Sequence, residues 1–366
     1  MNFDFSEDQK LLADQVQRYL SEQCDSSVAR GVIDEPIRWA PEVWQGLADM
    51  GLIGTAVSDS YGGTGAGYLE LCLVAQQLGA HLAPVPFGST VYLVAEALVA
   101  FGTEVQKQSW LPKLCAGEVK GALALVESME QFSAEQISCQ VTANLLNGEK
   151  LVVTDGNCAD LFVVLARGEK GLSLYLAEAS HVSVQAVDSV DLTRDTAALK
   201  FADCPVELLA VDGEAALNQL YDRAAVLYAF EQLGGAQAAL DMAVNYANER
   251  FAFGRAIGSF QAIKHMLADM YVAMKLAESN CYYAAWALAN NAPDLPLAAA
   301  TARVAATQAF QLCAKDNIQV HGGMGFTWEF DCHLYYRRSN FLALELGGLS
   351  EWEARLVDHL PLQQSA

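Results

Sequence analysis

The sequence predicts an α+β multidomain chain that is helical at both ends and β-rich in the middle, and three observations carry that expectation. From Asp8 to about Gly117 apolar residues recur at helical spacing, as in Leu11, Leu12, Val16 and Leu20, with further helical stretches around Trp44 and from Leu71 to Leu78. Between about Gly121 and Glu207 the texture changes to short β-rich runs, among them Leu161 to Leu165 and Leu172 to Leu176. Asn147-Gly148, Asp155-Gly156 and Gly168 punctuate those runs as turn signals. From Glu214 the pattern is helical again, with Leu217, Leu220, Ala224 and Leu227 on one face of a long helix running toward Arg250. Two more helices are expected over about Gln261–Asn290 and Leu297–Gln319, parted by the breaker from Asn291 to Pro296. The changes of texture divide the chain into an all-α domain over residues 1–119, a β domain over 120–212 and a helical domain over 213–366.

Within the first domain, the loop Ser60 to Gly67 is rich in glycine but lacks the G-x-G-x-x-G spacing and follows no clear strand, so it reads as a turn between helices. In the long helix, Gly234, Gly235, Ala236, Ala238 and Ala239 are small enough to let neighbouring helix axes come close. Ala224, Ala225 and Ala229 could open room for a bulky ligand, although close helix packing is the plainer account of them.

With 366 residues, 53% of them hydrophobic, the chain can bury a large core. Twenty-two Lys and Arg stand against 44 Asp and Glu, a formal charge of −22 that repels a nucleic-acid backbone and an anionic membrane surface. An anionic ligand would have to be met by local cations, for which Arg250, Arg337 and Arg338 are candidates. Met1 to Lys10 carries Asp4, Glu7 and Asp8 and lacks the order of a secretory signal, and no apolar run is long enough to span a bilayer. The nine cysteines form no C-x-x-C pair, and their odd number argues for buried thiols in a reducing cytoplasm. The six histidines form no H-E-x-x-H and no G-x-S-x-G occurs, so neither a metal site nor a serine nucleophile is expected.

The segment richest in chemistry is Arg250-Phe-Ala-Phe253-Gly254-Arg-Ala-Ile257-Gly-Ser-Phe260-Gln261, which continues through Leu267 to Ala268-Asp269-Met270. An arginine fork can hold a pyrophosphate bidentately, a phenylalanine ring can lie against a flat heterocycle, and a glutamine amide offers both donor and acceptor. Alone, Arg250 would read as a solvated charge and Phe253 as packing. A second segment, Ile318-Gln319-Val-His321-Gly322-Gly323-Met-Gly325, places glycines where backbone could approach a ligand or simply cap a helix. His321 by itself reads as a packed or capping histidine.

Together these strings resemble the acyl-CoA dehydrogenase family, which carries R-x-x-F-G-x-x-I-x-x-F-Q and Q-x-x-G-G-x-G in its carboxy-terminal helical domain. The stretch from Trp44 to Phe87, with Tyr61-Gly62-Gly63 and Leu78-Gly79, is also similar, so the resemblance covers nearly the whole chain. It implies FAD bound at a subunit interface and oxidation of an acyl-CoA thioester to its trans-2-enoyl form, with an electron-transfer flavoprotein as acceptor. It assigns cofactor contacts to Arg250, Phe253, Gly254, Gln261, Gln319, Gly322, Gly323 and Thr154.

The resemblance breaks at two places. The reaction needs a base for the α-proton, usually a desolvated carboxylate. Matching through Arg337, Arg338 and Gly347 puts Leu346 at the family's usual base position, and the alternative position near the start of the long helix falls on Ala224. Glu345 adjoins the first and would project about 100° away if the helix continued; Asp222 and Arg223 adjoin the second as possible substrate contacts. A solvated glutamate and a helix-face ion pair are the plainer readings. In the β domain the family's T-E-P-x-A-G-S-D string beside the flavin ring is replaced by Val126-Glu-Ser-Met-Glu-Gln-Phe-Ser133, and W-x-T survives only as Val152-Val-Thr154. Three readings stay open: one subunit of a hetero-oligomeric dehydrogenase whose related partner supplies the base, similar to the steroid and bulky-acyl branch; a self-sufficient homo-oligomer with its base relocated to Glu345 or Asp222; or a non-catalytic homologue that binds acyl-CoA or scaffolds a partner.

Overall fold

The computed structural model describes residues 6–128 and 133–360. Helices α1 (Glu7–Gln23), α2 (Ser26–Gly31), α3 (Pro41–Asp49), α4 (Tyr68–Ala80), α5 (Glu96–Phe101) and α6 (Glu104–Cys115) come first. Strands β1 (Gly121–Ala124), β2 (Gln140–Thr142), β3 (Leu145–Thr154), β4 (Leu161–Gly168), β5 (Gly171–Glu178), β6 (Val182–Ala186) and β7 (Thr196–Val211) follow. The long α7 (Gly213–Glu249) leads into a short hairpin, β8 (Phe251–Ala252) and β9 (Arg255–Ala256), and then into α8 (Gln261–Ala289), α9 (Leu295–His321), α10 (Cys332–Leu344) and α11 (Leu349–His359). Local chemistry sets the helix starts. Ser6 with Gln9 and Thr103 with Gln106 form reciprocal capping boxes, and Pro41 occupies the first turn of α3, where its missing N–H costs nothing. Between α4 and α5 the chain also forms a π-helix over Gly88–Ala95, buried throughout, which periodicity alone did not single out.

The chain divides into two compact units. One holds residues 27–67 and 84–224, and its sheet runs β1-β4-β2-β3-β7-β5, with β5 pairing back to β4 and β6 added on β7. The pairings are mixed: β1 and β2 lie parallel to β4, the rest antiparallel. Alternation along the strands turns Val164, Phe162, Tyr175, Leu199 and Phe201 into one core. The β2–β3 turn sits at Ala143 and Asn144, with φ of 51° and 62°. Asn147-Gly148, expected as a turn, instead lies within β3 beside a register shift, because the ladder with β7 absorbs an extra residue there as a bulge.

The other unit holds residues 1–26, 68–83 and 225–366. In it α8 and α9 pack along each other, α10 and α11 pack on α9, and α1 on α4. The small residues of α7 let α4 approach as expected: a Cβ on Gly234 would collide with the Gln76 carbonyl oxygen, and one on Gly79 with that of Glu231. Gly235 likewise leaves the space that the Phe310 ring fills. Among the described residues no helix is long and apolar enough to cross a membrane, and no cluster of His, Cys, Asp and Glu could hold a metal ion. All nine cysteines are buried free thiols.

Candidate active site

At one end of the helical unit, α7 and α9 finish side by side. Tyr246, near the last turn of α7, stacks on His321 at the last residue of α9, with ring centroids 4.0 Å apart, and Phe330 meets both edge-on. His321 is the packed residue that its isolation suggested: its Nδ1 lies 2.9 Å from the Asn317 carbonyl, and burial pulls its pKa below the ordinary 6.5. This stack brings the two motif strings together. Arg250 follows one turn after Tyr246, bonded to its carbonyl at 2.8 Å, while Gln319 and the Gly322-Gly323 pair flank His321. Gly322 takes φ 61°, and a Cβ on either glycine would meet nothing within 4 Å, so the backbone there faces open space. Arg250, Gln261 and Gln319 are exposed, and their side chains have no partner among the described residues.

The hairpin was not legible in the periodicity. Phe253 and Gly254 both take positive φ, 51° and 76°, as a two-residue turn between twisted strands requires. Phe253 is 95% exposed and only edges against Phe260, so it is displayed, not packed as core. A ring that size at positive φ is held there at a cost, and such strain collects at binding sites.

The segment that the sequence match sets against the family's base is a turn. α10 ends at Leu344, so Glu345 is not carried a further 100° around a helix; it is extended, at φ −60° and ψ 133°, and Leu346 and Gly347 follow with φ of 64° and 97°. Leu346 is 7% exposed, and its carbonyl accepts from Trp352 Nε1 at 3.1 Å. Glu345 is half-buried instead of solvated: Tyr228 donates its hydroxyl to the carboxylate at 3.4 Å, and the Glu345 carbonyl accepts from Arg303 at 2.6 Å. Arg338, a candidate for meeting an anionic ligand, is fully buried and donates to the Leu82 carbonyl at 3.3 Å. Arg337 is half-buried.

In the β-containing unit, Ala224 is fully buried, and Arg223 beside it holds Glu96 of α5 at 2.8 Å. Asp222 is half-buried on the same turn. Thr154 closes β3, paired with Thr196. Of the string from Val126 to Ser133, Met129, Glu130, Gln131 and Phe132 lie outside the described residues. Its Glu127 holds the sheet interior together: the carboxylate takes Lys150 at 2.6 Å and the Ser138 N–H and hydroxyl at 2.6 Å each. Burial raises the Glu127 carboxyl, but these bonds outweigh it and hold it down at about 2. Lys150 has no exposed surface and also donates to the carbonyls of Leu125 and Leu165. Sequence reading passed over Lys150 and Arg303, since a single charge in an apolar run signals burial but not its partner.

Residues 6–118 match the family model of the acyl-CoA dehydrogenase N-terminal domain, and residues 212–358 that of the C-terminal domain. Acyl-CoA dehydrogenase IpdE2 of Mycobacterium tuberculosis is 31% identical over 335 residues, spanning 91% of this chain and 91% of that protein. The ChsE4-ChsE5 complex from Mycobacterium tuberculosis has a chain that superposes with a TM-score of 0.91 at 28% identity, covering 100% of both chains. A variant of the Tcur3481-Tcur3483 steroid acyl-CoA dehydrogenase gives a TM-score of 0.87 at 29% identity, covering 97% of this chain and 98% of its own. Matching at both terminal domains, along most of a curated relative and over the whole of a solved neighbour, the chain belongs to the acyl-CoA dehydrogenase family, FAD-dependent oxidoreductases acting on CH–CH bonds.

Proposed function

We propose that this chain is one subunit of a hetero-oligomeric acyl-CoA dehydrogenase acting on a bulky acyl-CoA thioester of the steroid side-chain kind, and that a related partner supplies the catalytic base. One contrast carries the reading: the donors at the ends of α7 and α9 are exposed and unengaged, while Leu346 and Ala224, both apolar and buried, stand where the family keeps its base. The paired chains of the ChsE4-ChsE5 complex and the steroid dehydrogenase support it.

The residues present fit half of an FAD site. Arg250 offers an unengaged guanidinium fork to a diphosphate, and Gly322 and Gly323 leave room for that group to approach the backbone. Gln261 and Gln319 supply amides, Gly254 lets the hairpin turn, and exposed Phe253 offers a ring face to the cofactor or to the partner's surface. On the sequence match alone, Thr154 is proposed to offer its hydroxyl to a flavin ring. FAD, when bound, supplies the hydride acceptor, and an electron-transfer flavoprotein is the proposed acceptor of its electrons. The division of the chain at residues 119 and 212 belongs to the same reading, supported by family matches that end at 118 and resume at 212.

Expression of the chain alone and with its partner, each supplied with FAD and a panel of acyl-CoA thioesters, tests this. General-base catalysis is worth about 10²–10⁴-fold, so the chain alone is expected to be slower by at least about 100-fold. A second reading has one observation in its favour: the Glu345 carboxylate is half-buried and takes the Tyr228 hydroxyl. Robust turnover by the chain alone, abolished in Glu345→Gln, would establish that reading and overturn the first.

A further inference from the structure

The end of an α-helix leaves carbonyl oxygens with no donor inside the helix. At the end of α10, the carbonyls of Leu342 and Glu345 both accept from one terminal nitrogen of Arg303, a residue in the middle of α9. The other terminal nitrogen donates to Gln232 Oε1 on α7 at 2.7 Å, and the Gln232 amide is bonded at 3.0 Å to Thr307, one turn further along α9. Arg303 is 1% exposed. Two carbonyl dipoles meet its charge directly, with the carboxylates of Glu345 and Glu231 acting at longer range. Burial pulls its pKa to about 10, which leaves it charged at neutral pH.

Two features of the turn call for such a clamp. Leu346 takes φ 64°, a left-handed conformation that a branched side chain does not adopt unaided. Beyond the turn's own bond, from the Gly347 N–H to the Leu344 carbonyl, donors from outside grip it: Arg303 the carbonyls of Leu342 and Glu345, and Trp352 the carbonyl of Leu346 itself. We propose that Arg303 is a positioning residue that sets this left-handed turn, and with it the places of the Glu345 carboxylate and the Leu346 side chain at the family's base position. The link to the base position rests on the functional reading above; the link to the turn does not.

Hydrogen exchange and fluorescence on the purified chain test the proposal through Arg303→Gln and Arg303→Lys. The Gly347 amide, bonded to the Leu344 carbonyl at 3.2 Å, is the local reporter. Losing two charge-assisted hydrogen bonds should speed its exchange roughly tenfold or more in Arg303→Gln, with amides in the middle of α7 and α8 unchanged. Trp352 emission, taken as the difference from Trp352→Phe in each background, should shift to the red as its acceptor moves. Arg303→Lys, keeping the charge and a donor, should recover part of both signals. Unchanged exchange and emission in a folded Arg303→Gln would overturn the proposal, as would faster exchange spread evenly over all helices. If Arg303→Gln does not fold, the lysine variant decides: local loosening at Gly347 supports the clamp, and wild-type exchange there refutes it. Both readouts come from the chain itself, so they can fail without touching the activity comparison that tests the functional reading.

Discussion

Buried cations are satisfied differently in the two units. In the unit that contains the sheet, Lys150 and Arg194, both buried, and the partly buried Arg223 each meet a carboxylate, Glu127 at 2.6 Å, Asp155 at 2.6 Å and Glu96 at 2.8 Å. In the helical unit, Arg303 and Arg338 are just as buried but donate to main-chain carbonyls, while Glu231, the carboxylate paired with Arg338, stands off at 3.8 Å. Those carbonyls lie at helix ends: Leu342 and Glu345 at the end of α10, Leu82 just past α4, where Ala80 also accepts from Tyr335. A cation enclosed away from water needs an acceptor, and in this unit packing brings a carboxylate to each of the three. Helix C-termini leave carbonyls over and carry the negative end of the dipole, so a guanidinium can serve them instead. Lys150 stands between the two cases, since it adds two carbonyls to its carboxylate.

The largest effect is expected at Lys150. Removing one partner of a buried pair leaves the other charged and enclosed, so Lys150→Met should destabilise the chain by about 3–5 kcal/mol in denaturant unfolding. A loss under about 1 kcal/mol would mean that the Ser138 bonds alone sustain Glu127 and that the carboxylate pairing has no special weight.

Arg250 is a third kind of arginine, exposed and with no internal partner among the described residues, so its acceptor is expected outside the chain. Arg250→Ala should leave unfolding within about 0.5 kcal/mol of wild type. FAD retention by the assembly should weaken by about 1.5–3 kcal/mol, the worth of a charge-assisted bond, as read by flavin titration. Equal affinity in a folded mutant would remove the diphosphate role and leave Arg250 a solvated charge.

A separate effect is expected in acid. Because the folded Glu127 carboxyl is held at about 2 against an ordinary 4.5, its contribution is complete above about pH 4.5 and is lost as pH falls from there toward 2. Glu127→Gln should flatten stability over that window and leave its shape near neutrality unchanged. A wild-type curve already flat between pH 4.5 and 2 would show that Lys150 and Ser138 do not hold the carboxylate in solution.

What the sequence determined by itself was whatever repeats or recurs locally. Apolar spacing gave away the helices and the β-rich middle, small residues forecast the close approach at Gly234, and the strings around Arg250 and Gln319 carried the family. These signals are legible because helix and strand periods are properties of neighbouring residues. Tertiary structure alone decided the rest. Glu345 looked like a helix residue one step out of phase, yet it lies in a turn because Arg303, 42 positions earlier, grips its carbonyl. Glu127 looked like the remnant of a cofactor string, yet Lys150, 23 positions on, fixes it in the interior. Arg338 looked available for an anion, yet the end of α4, 256 positions before it, takes it inside. A lone charge shows in the sequence, but its partner is chosen by packing: burial makes an unmet charge so costly that whatever acceptor the fold brings near is taken up.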